Sequence, residues 1–321
     1  MPPAGKVMLG VGGTWIGPRQ FDALTGAQHE LHLVTASWNE TRPNGWYDVL
    51  IVPMVRARAE GFRLMVHVDA AMPGGAEGRS PRAVARGAAD AYLLDLGRVV
   101  NESGQVIYVR PPGEMNGNWS RWSAFDADGT PRGPEHRTAD YRGAFVRMAE
   151  IVRGGDVAAI NRRLRGQGLP PLRTTDAALP SSGLVSLVWN PQAEGSPNVP
   201  GNQPDDYYPG ARWVDYVAND IYAQRGRAAW AQHEAFYARY ADRHPFMVAE
   251  YAPWGYDDPA FVQRMFEWTA SHPRTVALIY FNGTAGTSFR LNTKPVTLAV
   301  YRAAAQEARY RCTNTSEACS S

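Results

Sequence analysis

Two glutamates in this 321-residue sequence occupy positions at which a carboxylate could do chemistry. Glu250 directly follows the apolar run FMVA and precedes aromatic residues, while Glu114 lies in RPPGEMNGNW, among amide and indole side chains. Charged residues are rarely placed beside a buried apolar run unless they have a partner or a function. Two carboxyl groups about 5–5.5 Å apart can cleave a glycosidic bond by double displacement, one as acid/base and the other as nucleophile. The two glutamates are therefore the first candidates for a catalytic pair.

These glutamates follow two of eight apolar segments that have strand-like composition. We predict strands at residues 6–11, 31–37, 62–68, 105–110, 184–189, 214–221, 246–250 and 276–281. Helical segments alternate with them, and no Pro/Ser-rich linker divides the chain. This order is typical of one (β/α)8 barrel, a TIM barrel with extended βα loops, over residues 1–310; a doubly wound sheet is the alternative. Because barrels carry their chemistry at the carboxyl ends of the strands, Glu114 and Glu250 would face each other across the barrel mouth.

Two segments between the strands lead to more specific predictions. Ser80 followed by Pro81 is a helix start signal, and the pattern predicts one helix from there to about residue 101. Residues 154–182 form an arginine-containing insertion of low hydrophobicity. We interpret this insertion as a solvated loop, with a grip on an acidic glycan as the alternative.

The composition narrows the range of functions. Ten Trp and 15 Tyr beside 31 Gly and 24 Pro suit a surface that binds flat, hydroxylated ligands such as sugars, and a Trp-rich core explains them equally well. Lys and Arg number 33 against 31 Asp and Glu, so the net charge of +2 gives no reason to expect nucleic acid or a membrane surface as a partner. No run approaches 18 apolar residues, so no membrane span is predicted.

The only two cysteines, Cys312 and Cys319, lie in a C-terminal tail, residues 311–321. Two exposed thiols would be a liability in oxidising surroundings, so we predict a disulfide between them and an exported protein. The sequence begins without a recognisable signal peptide, and a cytoplasmic location stays open.

Four segments of the chain resemble glycoside hydrolase family 26, the family best known for β-mannanases. RPPGEMNGNW (110–119) is similar to its acid/base segment, and VAEYAPWG (248–255) to its nucleophile segment at the end of strand seven. VWNP (188–191) resembles its strand-five end, and YYPG, WVDY and DIY within residues 207–222 resemble its run into strand six. All four follow in the family's order at barrel-compatible spacing.

The resemblance implies roles for individual residues. Glu114 would be the general acid/base and Glu250 the nucleophile, with Tyr222 orienting Glu250 through its phenol. Gly113 departs from the family's pattern, which usually has His immediately before the acid/base glutamate. The absence of that imidazole predicts a substrate preference shifted away from plain mannan.

Further polar and aromatic residues near strand ends are candidates for substrate binding. They are Trp38, Asp69, Arg110, Asn116, Trp119, Trp122, Trp189, Asn190, Tyr222, Trp254 and Phe281. The resemblance assigns Trp189 and Asn190 to the lining of the cleft. For each indole the alternative is ordinary packing; Asp69 could instead cap the following loop, and Arg110 could form a structural ion pair.

Together these observations predict a monomeric, secreted, retaining hydrolase of a β-linked polysaccharide, similar to an endo-β-mannanase, whose partner is the polysaccharide itself. No cofactor or metal is expected, because a pair of carboxylates completes the chemistry. The alternatives are a hydrolase of another β-glycan or of a bacterial exopolysaccharide, and a barrel that binds glycan without cleaving it.

Overall fold

The computed structural model describes residues 1–13, 16–284 and 286–311, so the predicted disulfide lies outside the described residues. Its strands are β1 (Met8–Gly12), β2 (Leu31–Ser37), β3 (Arg63–Asp69), β4 (Ile107–Arg110), β5 (Gly155–Asp156), β6 (Ala178–Leu179), β7 (Val185–Trp189), β8 (Tyr216–Gln224), β9 (Phe246–Trp254) and β10 (Thr275–Phe281). Its α-helices are α1 (Pro18–Thr25), α2 (Val52–Glu60), α3 (Pro81–Ala85), α4 (Asp90–Glu102), α5 (Thr138–Arg153), α6 (Val157–Gly166), α7 (Pro204–Tyr207), α8 (Trp230–Tyr240), α9 (Pro259–Ser271) and α10 (Pro295–Ala304).

Eight of these strands form a closed parallel barrel, in the order β1-β10-β9-β8-β7-β4-β3-β2. The predicted (β/α)8 barrel is confirmed, and each predicted strand overlaps one barrel strand. β9 continues four residues beyond Glu250, because Tyr222 and Gln224 of β8 remain paired with Ala252 and Trp254. Glu250 therefore lies within a strand rather than at its end. Among the described helices, none has the length and apolar character needed to cross a membrane.

Residue contacts divide the chain into two units, which we describe separately. The first unit comprises Met1–Val34, Ala59–Met65 and the described residues from 217 onwards. The second unit comprises Thr35–Arg58 and Val66–Tyr216.

The core of the first unit is aromatic. The Tyr301 ring on α10 packs edge-on against Tyr280 of β10 at 5.8 Å and against Phe266 of α9 at 5.4 Å. The hydroxyl of Tyr301 lies 2.7 Å from Nε2 of His29, whose imidazole is fully buried. Burial lowers the pKa of His29, so this core contains a neutral imidazole.

The second unit breaks the helix that the sequence predicts over residues 80–101. Ser80 does cap α3, because its hydroxyl accepts a hydrogen bond from the backbone of Ala83 at 3.2 Å. The chain then turns through Gly87, at φ +91°, before α4 begins at Asp90. Arg147 is buried here and binds both oxygens of Asp90 at 2.5 Å, and a Cβ on Gly87 would lie only 2.8 Å from its guanidinium. The break thus makes room for a buried ion pair, which periodicity does not reveal.

The insertion is also more ordered than its composition suggests. The prediction of a solvated loop is wrong over α6, where Val157, Ile160 and Leu164 form a buried apolar stripe. Asp156 caps this helix by accepting a hydrogen bond from the backbone of Ala159 at 2.7 Å. The polar composition of the segment concealed the stripe, because arginines fill the opposite face of the helix.

His233 makes the stability of the first unit sensitive to acid. Its buried ring lies 4.3 Å from the Trp268 ring, and its Nδ1 lies 2.7 Å from the side-chain oxygen of Asn219. Burial lowers the pKa of His233 from its ordinary value of 6.5 to about 3. Because the folded-state pKa lies below the unfolded one, the contribution of neutral His233 is full above pH 6.5 and is lost as the pH falls towards 3.

We therefore expect the free energy of unfolding to fall on acidification, by about 2 kcal/mol from this residue alone between neutral pH and pH 5. His233→Gln cannot titrate, so its stability should change less over the same range, whatever its value at pH 7. Urea denaturation at both pH values measures the difference. Equal pH dependence in the two proteins would contradict the assignment.

Candidate active site

Glu114 lies four residues beyond the carboxyl end of β4, in a strained turn of the second unit. Its φ is +51°, a left-handed conformation that is uncommon for residues other than glycine. Two backbone hydrogen bonds hold it: the Glu114 N–H donates to the Asn190 carbonyl at 2.7 Å, and the Gly117 N–H donates to the Glu114 carbonyl at 2.8 Å. Such conformations cost about 1–3 kcal/mol each and cluster at functional sites. The backbone conformation therefore favours a functional role for Glu114 independently of its charge.

Two N–H donors hold the Glu114 carboxylate, one on each oxygen. Trp119 Nε1 donates to Oε2 at 2.6 Å, and the side-chain amide of Gln192 donates to Oε1. The indole can fold back in this way because Gly117 has no side chain, and a Cβ there would lie 2.5 Å from the Trp119 ring. Hydrogen bonds from neutral N–H groups favour the ionised carboxylate.

Gln192 is positioned by Asn116, which is fully buried. The Asn116 amide donates to the Gln192 carbonyl at 2.9 Å, and its side-chain oxygen accepts from the Gln192 N–H at 2.8 Å. Asn116, a predicted substrate-binding residue, thus acts on Glu114 through Gln192. The sequence analysis missed Gln192. A signal was present, since it is a polar residue directly beyond the VWNP segment at the end of a barrel strand.

Arg110, at the end of β4, occupies the space beside Gly113. Its side chain is 1% exposed, and a Cβ built on Gly113 would lie 2.7 Å from its Nε atom. The family usually has a histidine at the position of Gly113. Here the Arg110 guanidinium leaves no room for a side chain at that position. His67 on β3 forms a hydrogen bond with the backbone of Arg110. Burial and the positive charge of Arg110 lower the pKa of His67 well below its ordinary value, so its imidazole is neutral.

The predicted sugar platforms divide into buried and exposed rings. Trp38, Trp122 and Trp189 are 1%, 0% and 0% exposed, so none of them offers a free face to a sugar in this structure. Trp38 stacks on Tyr92 at 4.5 Å, and Trp122 donates to the Arg79 carbonyl at 2.7 Å.

Trp119 and Trp254 are the exposed rings, at 54% and 43%. Asn190 is buried, and its carbonyl holds the Glu114 turn. Asp69 accepts a hydrogen bond from the backbone of Ala71 at 3.0 Å and thereby caps the loop after β3.

Glu250 forms the centre of a second group of predicted residues, in the first unit. The Tyr222 hydroxyl donates to Glu250 Oε2 at 2.5 Å. Three aromatic side chains hold the Tyr222 ring: Phe281 at 6.1 Å, Trp254 at 6.1 Å and Phe289 at 5.3 Å. A phenol held in this way restricts the orientation of the carboxylate that it binds.

Asp220 is the register partner of Glu250 on β8, so that a second carboxylate lies on the adjacent strand. It is 4% exposed, and a register shift separates it from Asn219. Within the described ranges, no group of three or more His, Cys, Asp or Glu side chains is arranged to hold a metal ion.

Comparison with solved structures finds the same fold in glycoside hydrolases. A GH26 β-mannanase from Bacteroides ovatus superposes with a TM-score of 0.59 at 15% identity, over 95% of this chain and 90% of that one. An endo-β-1,4-mannanase double mutant from Cellulomonas fimi gives 0.62 at 16% identity, over 98% and 74%. The chain has the fold of the family 26 glycoside hydrolases. The resemblance stated from the sequence is thus confirmed in the fold.

Sequence comparison also gives a distant relationship. No family model matches the chain. Endoglucanase H of Acetivibrio thermocellus is 23% identical over 233 residues, which are 69% of this chain. The chain spans about a fifth (22%) of the length of that curated relative.

The two donors on Glu114 lead to a prediction about its titration. Gln192→Leu and Trp119→Phe each remove one N–H donor from the carboxylate, so each should raise the pH at which Glu114 titrates, and the double variant should raise it further. NMR titration of protein labelled at the glutamate carboxyl carbons measures the midpoint directly. Gln167→Leu, at an exposed glutamine of the insertion, is the control. An unchanged midpoint in the double variant would contradict the arrangement.

The space beside Gly113 leads to a prediction about stability. Gly113→Ala should lower the free energy of unfolding by about 1–3 kcal/mol, because the added methyl displaces the buried Arg110 guanidinium. Gly166→Ala is the matched control, since a Cβ at the end of α6 meets no atom within 4 Å. Chemical denaturation of both variants tests the difference. Equal stabilities would show that Arg110 moves without penalty.

Proposed function

We propose that this protein is a retaining glycoside hydrolase that cleaves a β-linked polysaccharide, with Glu114 as acid/base and Glu250 as nucleophile. Two carboxylates on barrel strands carry the proposal. Glu114 follows β4 and is bound by Trp119 and Gln192, and Glu250 lies within β9 and is bound by Tyr222. The fold supports it, because β-mannanases are among the solved structures that share this fold. The distant similarity to an endoglucanase also supports a glycoside hydrolase.

The proposed reaction has two steps. Glu250 attacks the anomeric carbon and forms a glycosyl–enzyme ester, while Glu114 donates its proton to the departing glycosidic oxygen. Glu114, now ionised, then accepts a proton from a water molecule, whose oxygen attacks the anomeric carbon and releases Glu250. Two inversions give a product that retains its configuration.

The surrounding residues serve these steps. Tyr222 holds Glu250 Oε2 and so orients the nucleophile towards the sugar. Trp119 and Gln192 stabilise the ionised form of Glu114, which is the form that activates water in the second step. In the first step Glu114 is protonated, and the glycosidic oxygen of the bound substrate accepts its proton.

A β-glycan other than plain mannan is the favoured substrate within this proposal. The observation behind this preference is Gly113, since the family usually has a histidine at this position, whereas here the Arg110 guanidinium leaves no room for a side chain. Because polysaccharides do not enter cells, the proposal also implies that the enzyme acts outside the cell.

Azide rescue distinguishes the two carboxylates. A screen of manno-, gluco-, xylo- and mixed-linkage β-glycans first identifies a substrate, and aryl glycosides of that sugar follow. Glu250→Ala should abolish turnover, and azide should restore it with an inverted glycosyl azide, because azide occupies the vacated nucleophile site. Glu114→Ala should lose about 10²–10⁴-fold on poor leaving groups but keep its first step on activated aryl glycosides, and azide should then give a product of retained configuration.

Glu267→Ala, at an exposed position of α9, is the control and should behave as the parent enzyme. Near-normal hydrolysis by both Glu114→Ala and Glu250→Ala would overturn the proposed mechanism.

A further inference from the structure

A groove of about 500 Å³ lies beyond Glu250, where β8 and β9 end. Gln224, Arg225, Trp254, Gly255 and Tyr256 line it, and we call it the β8–β9 groove. Its two walls are continuous with the strands, because Gln224 and Trp254 are register partners. All of it belongs to the first unit.

The aromatic wall of the groove is exposed but held in place. Trp254 is 43% exposed, and its ring packs against Phe289 at 4.9 Å. The next residue, Gly255, donates its N–H to the Ser288 carbonyl at 3.1 Å. Tyr256 is 53% exposed. Two accessible aromatic faces on a restrained wall suit the apolar faces of sugar rings.

The opposite wall carries an arginine in a strained conformation. Gln224 and Arg227 exchange backbone hydrogen bonds at 2.8 and 2.9 Å, closing a two-residue turn in which Arg225 has φ +50° and Gly226 has φ +72°. Such turns favour Asn or Asp at the first central position, where arginine pays a steric penalty. An arginine at such a position is a conformational outlier, and such outliers cluster at functional sites.

The Arg225 guanidinium has no counter-ion among the described residues. No described side chain or backbone group forms a hydrogen bond or ion pair with it, and the two acids of the adjacent loop are engaged in capping. Asp257 accepts hydrogen bonds from the backbone and hydroxyl of Thr297 at 2.7 and 2.6 Å. Asp258 accepts from the backbone of Phe261 at 3.0 Å. The groove thus combines aromatic faces with a guanidinium that no described carboxylate pairs with.

We propose that the β8–β9 groove binds a sugar unit that bears a carboxylate, so that the β-glycan substrate is acidic. The inference rests on the proposed function and specifies its substrate class. The guanidinium would pair with both carboxylate oxygens, the indole and phenol would cover the ring, and the Gln224 amide would bind hydroxyl groups. Trp254 lies four residues beyond Glu250 on β9, about 13 Å along the strand. The acidic unit therefore occupies an outer subsite rather than the one cleaved.

Binding to matched acidic and neutral ligands tests the proposal. Glu250→Gln prevents hydrolysis, and calorimetry then compares a β-1,4-mannuronic acid hexasaccharide with β-1,4-mannohexaose, which differ only in a carboxylate or a hydroxymethyl group at C6. The corresponding gluco pair is measured in the same way. In at least one pair, the acidic ligand should bind tenfold or more tightly at low salt, and the difference should shrink as salt is added.

Variants in the same background identify the group responsible. Arg225→Asn should remove the preference for the acidic ligand and leave neutral affinity within about twofold; its melting temperature should not fall, because Asn tolerates the left-handed turn. Arg227→Asn removes a neighbouring exposed charge outside the groove and should change nothing. Trp254→Ala should weaken both ligands.

Two results would overturn the proposal: no preference for an acidic ligand in either pair, or a preference that survives Arg225→Asn. Neither result would contradict the proposed roles of Glu114 and Glu250, because this experiment measures binding and not hydrolysis. Conversely, a failure of azide rescue would remove the catalytic roles while this binding result stood.

Discussion

The backbone hydrogen bond from Glu114 to the Asn190 carbonyl is the constraint on which the geometry around Glu114, the proposed acid/base, depends. It ties the loop after β4 to the loop after β7 and holds Glu114 in a left-handed conformation that would otherwise relax. Asn116 then binds the backbone of Gln192, and Gln192 reaches back to the carboxylate. The acid/base position is therefore a product of two loops, and a change in either one alters the geometry of Glu114.

The two carboxylates have environments that match different tasks. Glu250 is bound by a phenol whose ring three aromatic side chains hold, which suits a nucleophile that must remain ionised and keep one orientation. In the proposed mechanism Glu114 instead exchanges a proton in each half-reaction, and one of its donors is Trp119, which is 54% exposed. An exposed donor can be displaced by a substrate oxygen more readily than a buried one, so the protonation state of Glu114 can respond to an occupied cleft.

The strands could be predicted from sequence, and the two glutamates could be singled out as candidates, because both depend on local pattern. Apolar runs mark barrel strands, and a carboxylate next to such a run is conspicuous. The remaining features depend on contacts between distant segments. Gln192 reaches Glu114 because Asn116, 76 residues away in sequence, hydrogen-bonds its backbone. Gly87 interrupts a helix where the Arg147 side chain needs space. Trp122 is buried by side chains from other segments. Neither periodicity nor resemblance carries that information.

Net charge was the least informative of the sequence properties, because the distribution of charge decides what a barrel enzyme can bind. A cleft that uses carboxylates for catalysis repels an acidic polymer, so a cation must offset that repulsion without neutralising the nucleophile. The turn that contains Arg225 begins at Gln224, the register partner of Trp254, and Trp254 lies about 13 Å along β9 from Glu250. The Debye length at physiological ionic strength is shorter, about 8 Å. A charge in that turn would be screened by salt from Glu250 more strongly than from a sugar carboxylate bound in the same groove. In the proposed binding mode, a cation on the extension of β8 and β9 would attract an acidic substrate at a distance from Glu250, the proposed nucleophile.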